Sequence, residues 1–349
     1  MELDQRKLRI LQAIIDDYIL TAAPVGSRTI SKRADFNISS ATIRNEMSDL
    51  EEMGYLEQPH TSAGRVPSNK AYRLYVNRIM QRAQLNDEER KIIRSYFFQR
   101  IDQVEGLVRQ TATALSDITK YTAMVLPPQL NTVRIRHVQI VQINHERALL
   151  VLVTDTGMLR DVMLRLPEGM SGRDVERFSN RLNFILKDMR LDQLAIDEVQ
   201  LLSEEMNEQR QFFQTVLDSL EQQMRSNAQK VELSGATNIL FYPEYNNMEK
   251  AKSFLAALNT EGTLYQMLKR ASKLEFSISI GDENEAPELS DCSIVTATYR
   301  MGSEPMGSFG VIGPTRMHYN RMLSILEYMR LSLSEALAGL IERDGDNKV

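Results

Sequence analysis

The sequence predicts an α+β fold: an N-terminal head of three helices and a small hairpin, then an α+β body interrupted by an insertion. Three observations predict it. Up to Met53, apolar residues recur at helical spacing in three short runs. Two extended pieces punctuated by Pro and Gly follow them. Beyond Lys120, runs rich in Val, Ile and Leu fall in two clusters with helical pattern between them.

The head begins with Leu8, Leu11, Ile14, Ile15, Tyr18 and Ile19, which predict a helix from Asp4 to about Thr21, with Asp4 as its N-cap. Pro24 and Gly26 end the pattern, and Ser27 opens a short helix, Ser27–Ala34, with Ile30 and Ala34 inward. After a turn at Asp35–Ile38, a third helix runs from Ser39 or Ser40 to Met53 with Ile43, Met47, Leu50 and Met53 as its buried stripe. Gly54 stands where a left-handed residue closes a helix. Tyr55–Gln58 and Arg65–Val66 are then short extended pieces around the turn His60–Gly64, confined to edges by Pro59 and Pro67. Such an order is that of a winged helix-turn-helix, residues 1–82.

A fourth helix from about Ser68 buries Tyr72, Tyr75, Val76 and Ile79, and helical pattern continues from Asp87 to about Lys120. Val133–Ile143, Ala148–Thr154 and Met158–Leu166 read as a three-stranded meander. Helical pattern returns at Ser171–Lys187 and Glu204–Arg225. Leu274–Ile280, Ser293–Arg300 and Met306–Ile312 are strands, and His318–Ile341 is a closing helix. The body is therefore expected at 83–167 and 235–349, with an insertion at roughly 168–234.

Of 349 residues, 42% are hydrophobic and 26% charged, which excludes wholesale disorder. No apolar stretch approaches the ~18 residues of a membrane span, and a single cysteine, Cys292, allows no internal disulfide. Both point to a cytoplasmic protein without a membrane partner. The net charge is −5, yet residues 1–82 hold 12 Lys+Arg against 10 Asp+Glu, leaving 30 and 37 in the rest. The head alone is weakly positive.

The third helix carries the functional signal, in Ser39-Ser-Ala-Thr-Ile-Arg-Asn-Glu46. With the apolar stripe turned inward, Ser40, Ala41, Thr42, Arg44, Asn45 and Ser48 remain outward near its N-terminal end. Arg suits guanine O6/N7, Asn suits adenine N6/N7, and small residues approach a thymine methyl. That end of a recognition helix enters the major groove. Ser27 and Arg28, opening the preceding helix, join the candidate set. In the wing, His60, Thr61, Ser62 and Arg65 are placed to meet phosphate or a minor groove; a hydrophilic hairpin turn is the plainer account. Lys70 and Arg73, nearly one helical turn apart, suit flanking phosphates or an ordinary solvated face equally.

Little else suggests chemistry. The histidines His60, His137, His145 and His318 lack metal-ligand spacing. Cys292 opens a strand and reads as a buried thiol, and the glycines between Gly302 and Gly313 fit hairpins rather than a phosphate loop. Neither an enzyme nor a cofactor is expected.

Thr21-Ala-Ala-Pro-Val-Gly-Ser27, Ser39-Ser-Ala-Thr-Ile-Arg-Asn-Glu-Met47, Asp49-Leu-Glu-Glu-Met-Gly-Tyr-Leu56, Pro59-His-Thr-Ser-Ala-Gly-Arg-Val-Pro67 and Lys70-Ala-Tyr-Arg-Leu-Tyr-Val76 together resemble the HrcA family of bacterial heat-inducible transcription repressors. The resemblance is dense over about the first 80 residues. It implies a winged helix, a GAF-like α+β domain and a dimerising domain inserted within the latter. It also implies a homodimer on double-stranded DNA at an inverted repeat, the CIRCE element, repressing chaperone operons until heat stress, with the chaperonin GroEL/GroES maintaining the active form. The recognition positions it implies are Ser40, Thr42, Arg44 and Asn45, with His60, Thr61, Ser62 and Arg65 in the wing. The alternative is a transcriptional regulator that senses a small molecule through the GAF-like domain.

Overall fold

The computed structural model describes residues 3–33, 38–60, 63–81, 83–97, 104–128, 134–154, 159–190, 210–260, 262–302 and 304–346. Helix α1 (Gln5–Thr21) starts where Asp4 accepts the Lys7 N–H at 2.7 Å, and it ends at Ala22 in the left-handed conformation. Helix α2 (Ser27–Ser31) stops short of the expected Ala34, which lies outside the described residues. Helix α3 (Ser40–Glu52) is capped by Ser39, whose hydroxyl accepts the Thr42 N–H at 3.1 Å. Gly54 closes α3 at φ 77°, a conformation that a side chain would strain.

Strands β1 (Leu56–Glu57) and β2 (Val66–Pro67) pair antiparallel as the wing. A bridge between Val25 and Arg65 ties the wing to the segment before α2, with N–H···O distances of 2.9 Å in both directions. Helix α4 (Asn69–Leu74) is capped by Ser68 and widens into a π-turn over Tyr75–Ile79. Ile10, Leu11, Ile14 and Ile15 of α1 are buried with Ile30, Ile43, Met47, Leu50 and Leu56 in one core. Met53, expected on that stripe, is only half-buried.

Helices α5 (Asp87–Phe97) and α6 (Val104–Thr119) lead to β3 (Thr122–Val125). The main sheet is completed by β7 (Glu232–Ser234), β8 (Phe276–Ile280), β9 (Cys292–Met301) and β10 (Glu304–Pro314) in the order β7-β3-β10-β9-β8, antiparallel throughout. Successive residues serve opposite faces. Val311 and Val295 pack towards α6 and α11 (Tyr319–Asp346), whereas Ile312 and Ile294 pack towards α9 (Met248–Asn259) and α10 (Thr263–Ala271). With helices on both faces, the central strands β3, β10 and β9 are mostly buried and the edge strands β7 and β8 half-buried.

Between β3 and β7 lies a second unit. Strands β4 (Ile135–Gln142), β5 (Arg147–Thr154) and β6 (Leu159–Arg165) form a three-stranded sheet of their own. Helices α7 (Gly172–Leu186) and α8 (Arg210–Gln229) close one face of it over a separate core that includes Val138, Leu150, Leu152, Phe178, Leu182 and Phe213. The expected insertion began at about residue 168, after this meander. Among the described residues the three strands of the meander pair only with one another, and they share a core with α7 and α8; Arg160 of β6 also donates to Glu105 of α6 at 2.6 Å. The first part of the helix expected at Glu204–Arg225 lies outside the described residues.

Candidate nucleic-acid interface

The N-terminal end of α3 is presented to solvent. Ile43, Met47 and Leu50 anchor the helix in the core, and Ala41, Arg44, Asn45 and Ser48 are exposed, with Ser40 and Thr42 half-exposed beside them. The Thr42 hydroxyl lies 2.9 Å from that of Ser39, so it is shared with the cap. From Ser40 to Asn45 there is no carboxylate, and Arg44 is the single charge.

The acidic residues farther along α3 are held by cations of the scaffold. Glu46 is buried and receives the Lys7 ammonium of α1 at 2.7 Å, with Arg6 at 3.5 Å. Asp49 meets the same ammonium at 3.0 Å. The Glu46 carboxylate, with Asp49 second, holds the Lys7 ammonium well above the usual lysine range, so Lys7 is charged at neutral pH. Glu51 takes the Arg65 guanidinium, with Nε and one terminal nitrogen both 2.8 Å from Oε2. Three carboxylates that would repel a DNA backbone are thereby neutralised within the head, and α3 is fixed to both α1 and the wing.

In the wing, the Ala63 N–H reaches the His60 carbonyl at 2.8 Å, and the Gln58 amide donates to the Ala63 carbonyl at 3.3 Å. His60 is exposed at this turn; Thr61 and Ser62 lie outside the described residues. Gly64 is needed for close approach, since a Cβ there would stand 2.5 Å from the Val25 carbonyl.

The structure thus brings together Ser40, Thr42, Arg44 and Asn45 on one exposed tip. It treats the other candidates differently. Ser27 is buried, whereas Arg28 beside it is exposed. Arg65 lies against Glu51. Lys70 is at the opposite end of α3, where its ammonium donates to the Met53 carbonyl at 2.8 Å and lies 4.5 Å from the centre of the Tyr55 ring. At 1.5 Å per residue that is roughly 20 Å from Ser40, and Lys70 caps the negative end of the helix. Arg73 faces the body, where it pairs with Glu283.

Sequence reasoning missed Lys7, Glu46 and Glu51. A signal for one was present: Glu46 falls on the apolar stripe, three residues after Ile43 and four before Leu50, and a carboxylate there requires a buried cation. Cys292 is, as expected, a buried thiol; it lies 2.9 Å from the Tyr245 hydroxyl, and burial pushes its pKa up to about 12.

The Arg65–Glu51 pair makes a measurable prediction. Glu51→Gln frees the guanidinium for phosphate, so affinity for specific and scrambled DNA rises alike and the log–log salt slope steepens by about 0.9. A slope equal to that of the unaltered protein in a salt titration would assign Arg65 to the wing scaffold alone.

A bare recognition tip on a winged helix, carried by a separate α+β body, defines a DNA-binding transcription regulator. Residues 105–323 match the family model described as the HrcA protein C-terminal domain. The chain is 42% identical over 341 residues to the heat-inducible transcription repressor HrcA of Brevibacillus brevis, covering 98% of this chain and all of that one. It is 40% identical over 357 residues to the protein of that name from Acetivibrio thermocellus, covering 100% of both. A crystal structure described only as a hypothetical protein shares the fold, with a TM-score of 0.66 at 20% identity over 97% of this chain and 100% of that one. The chain belongs to the HrcA family of heat-inducible transcription repressors. Membership favours negative regulation of heat-shock genes over small-molecule sensing.

Proposed function

We propose that the protein represses chaperone operons by occupying, as a homodimer, the CIRCE inverted repeat upstream of them, and that heat stress releases it. The observation that carries this reading is the exposed α3 tip, whose one charge is Arg44 and whose neighbouring carboxylates are neutralised inside the head. Arg44 and Asn45 would read base edges, Ser40 and Thr42 would approach them closely, and His60 with Thr61 and Ser62 would lie along the adjacent backbone. Arg28 is exposed at the start of α2 for a phosphate.

Dimerisation is assigned to the inserted unit, whose limits the strand pairing supports as Arg134–Gln229, within a GAF-like body. One face of its meander is closed by helices. On the other face, register aligns Val141, Leu149 and Met163 in one row and His137, Val153 and Leu159 in another. Leu159 is 54% exposed and Met163 55%. Gln139, Val151 and Asp161 form a more polar row between them, and a face with two apolar rows of this kind fits a two-fold interface with its own copy. One head with a slight positive charge binds weakly, and pairing two supplies the avidity a repressor needs.

The GroEL/GroES chaperonin is the proposed partner in maintaining the active dimer. Exposed Leu240 and Phe241, with exposed Met248 on α9, offer apolar surface for that engagement. The proposed DNA target and the single cysteine support a cytoplasmic setting. Footprinting upstream of a chaperone operon should show a protected inverted repeat, lost at stress temperature and restored with chaperonin. Weak, uniform binding with no protected repeat would defeat the reading.

A further inference from the structure

The head meets the body where α4 lies against β8. At the centre of this seam Tyr72 of α4 is buried, its ring 6.0 Å from that of Tyr319 at the start of α11. Charged contacts flank this aromatic pin on both sides. On one side Arg73 donates from Nε to Glu283 at 2.7 Å, and from a terminal nitrogen to the Ile278 carbonyl at 2.7 Å and to the second Glu283 oxygen. The Asn69 amide donates to Asp282 at 3.2 Å. Burial works against the Glu283 charge, but Arg73 and the Ile280 N–H outweigh it and hold the carboxyl below the usual glutamate range.

On the other side Arg316, in the loop between β10 and α11, pairs with Glu244 and lies over the Tyr242 ring. It also donates to the Ile19 carbonyl in the last turn of α1 at 3.1 Å, where the helix dipole favours a cation. The chain between head and body is held as well, since the Ser324 hydroxyl donates to the Ala83 carbonyl at 2.6 Å.

We propose that Arg73 and Arg316 are positioning residues for operator recognition: they fix the angle of the head on the body, and so the spacing at which a dimer reads its two half-sites. This rests on the dimeric repressor reading above. Two α3 tips keep a constant separation only if each head is locked to its own body. Adding one base pair between half-sites turns one of them by roughly 35° and moves it by about 3.4 Å. A head tied through both arginines resists that change, whereas releasing either tie lets it tilt about the Tyr72–Tyr319 contact and the bonds that remain.

The test is a spacing series. The full-length protein, a Glu244→Gln/Glu283→Gln double variant and an Arg316→Gln variant are titrated with an inverted-repeat operator whose central spacer is shortened by about two or lengthened by up to about five base pairs. All three substitutions lie in the body, so the DNA-facing surface of the head is untouched, and affinity for an isolated half-site serves as the folding control. The unaltered protein should lose about 10²- to 10⁴-fold in affinity at a half-turn offset, and the variants no more than about tenfold. The inference is overturned if the variants, each scaled to its own best spacing, trace the unaltered protein's curve. Should the unaltered protein be indifferent to the second half-site, the dimeric reading itself fails, a distinct outcome that removes this inference with it.

Discussion

Arg44→Ala is expected to lower operator affinity by about tenfold to a hundredfold, or ~1–3 kcal/mol, and to relax preference at one base pair. The guanidinium is exposed on the α3 tip, so its removal opens no cavity and leaves no buried partner behind. The melting temperature should therefore stay within a degree or two, since exposed substitutions stay within about ±0.5 kcal/mol. Gel shifts against the operator and a set of single-base variants read both effects. Equal losses on every sequence would move Arg44 from base reading to phosphate contact, and no loss on any would remove it from the interface.

A larger change is expected from Met163→Asp on the outer face of the meander. Met163 is 55% exposed in the single chain and sits beside Leu149 across β5, so the isolated protomer should tolerate the charge. In a two-fold interface the same substitution is present on both sides and buries two carboxylates in apolar surroundings. The variant should sediment as a folded monomer, and operator affinity should fall by about 10²- to 10⁴-fold as the second head is lost. A stable dimer in equilibrium sedimentation would place the interface elsewhere.

The head was the most legible part of the sequence because its elements are marked locally. Asp4 and Ser39 cap α1 and α3, Gly54 ends α3, and the period of Ile43, Met47 and Leu50 leaves one choice of outward face. The body was harder. The four residues of β3, Thr122–Val125, are all buried, so they show no alternation to reveal a strand. Helices α9 and α10 also escaped notice. The meander was recognised, but strand periodicity says nothing about which sheet a strand joins, so its separation from the main sheet was not readable.

Basic residues posed a related problem. Composition identifies Arg65, Lys70 and Arg73 as cations but not the anion each one meets. Glu51 lies 14 residues from Arg65, the Met53 carbonyl 17 from Lys70, and Glu283 210 from Arg73. Only tertiary structure chooses between these partners and a phosphate.

Strands β3 and β7 are adjacent and antiparallel, with Val125 opposite Glu232, so the chain departs for the inserted unit and returns through a single doorway in the main sheet. Bringing the two ends of so long an excursion together carries an entropic cost that grows only logarithmically with its length. The sheet is thus insensitive to what is threaded through that doorway. A module of different size or shape can be exchanged there without altering the register of the surrounding strands.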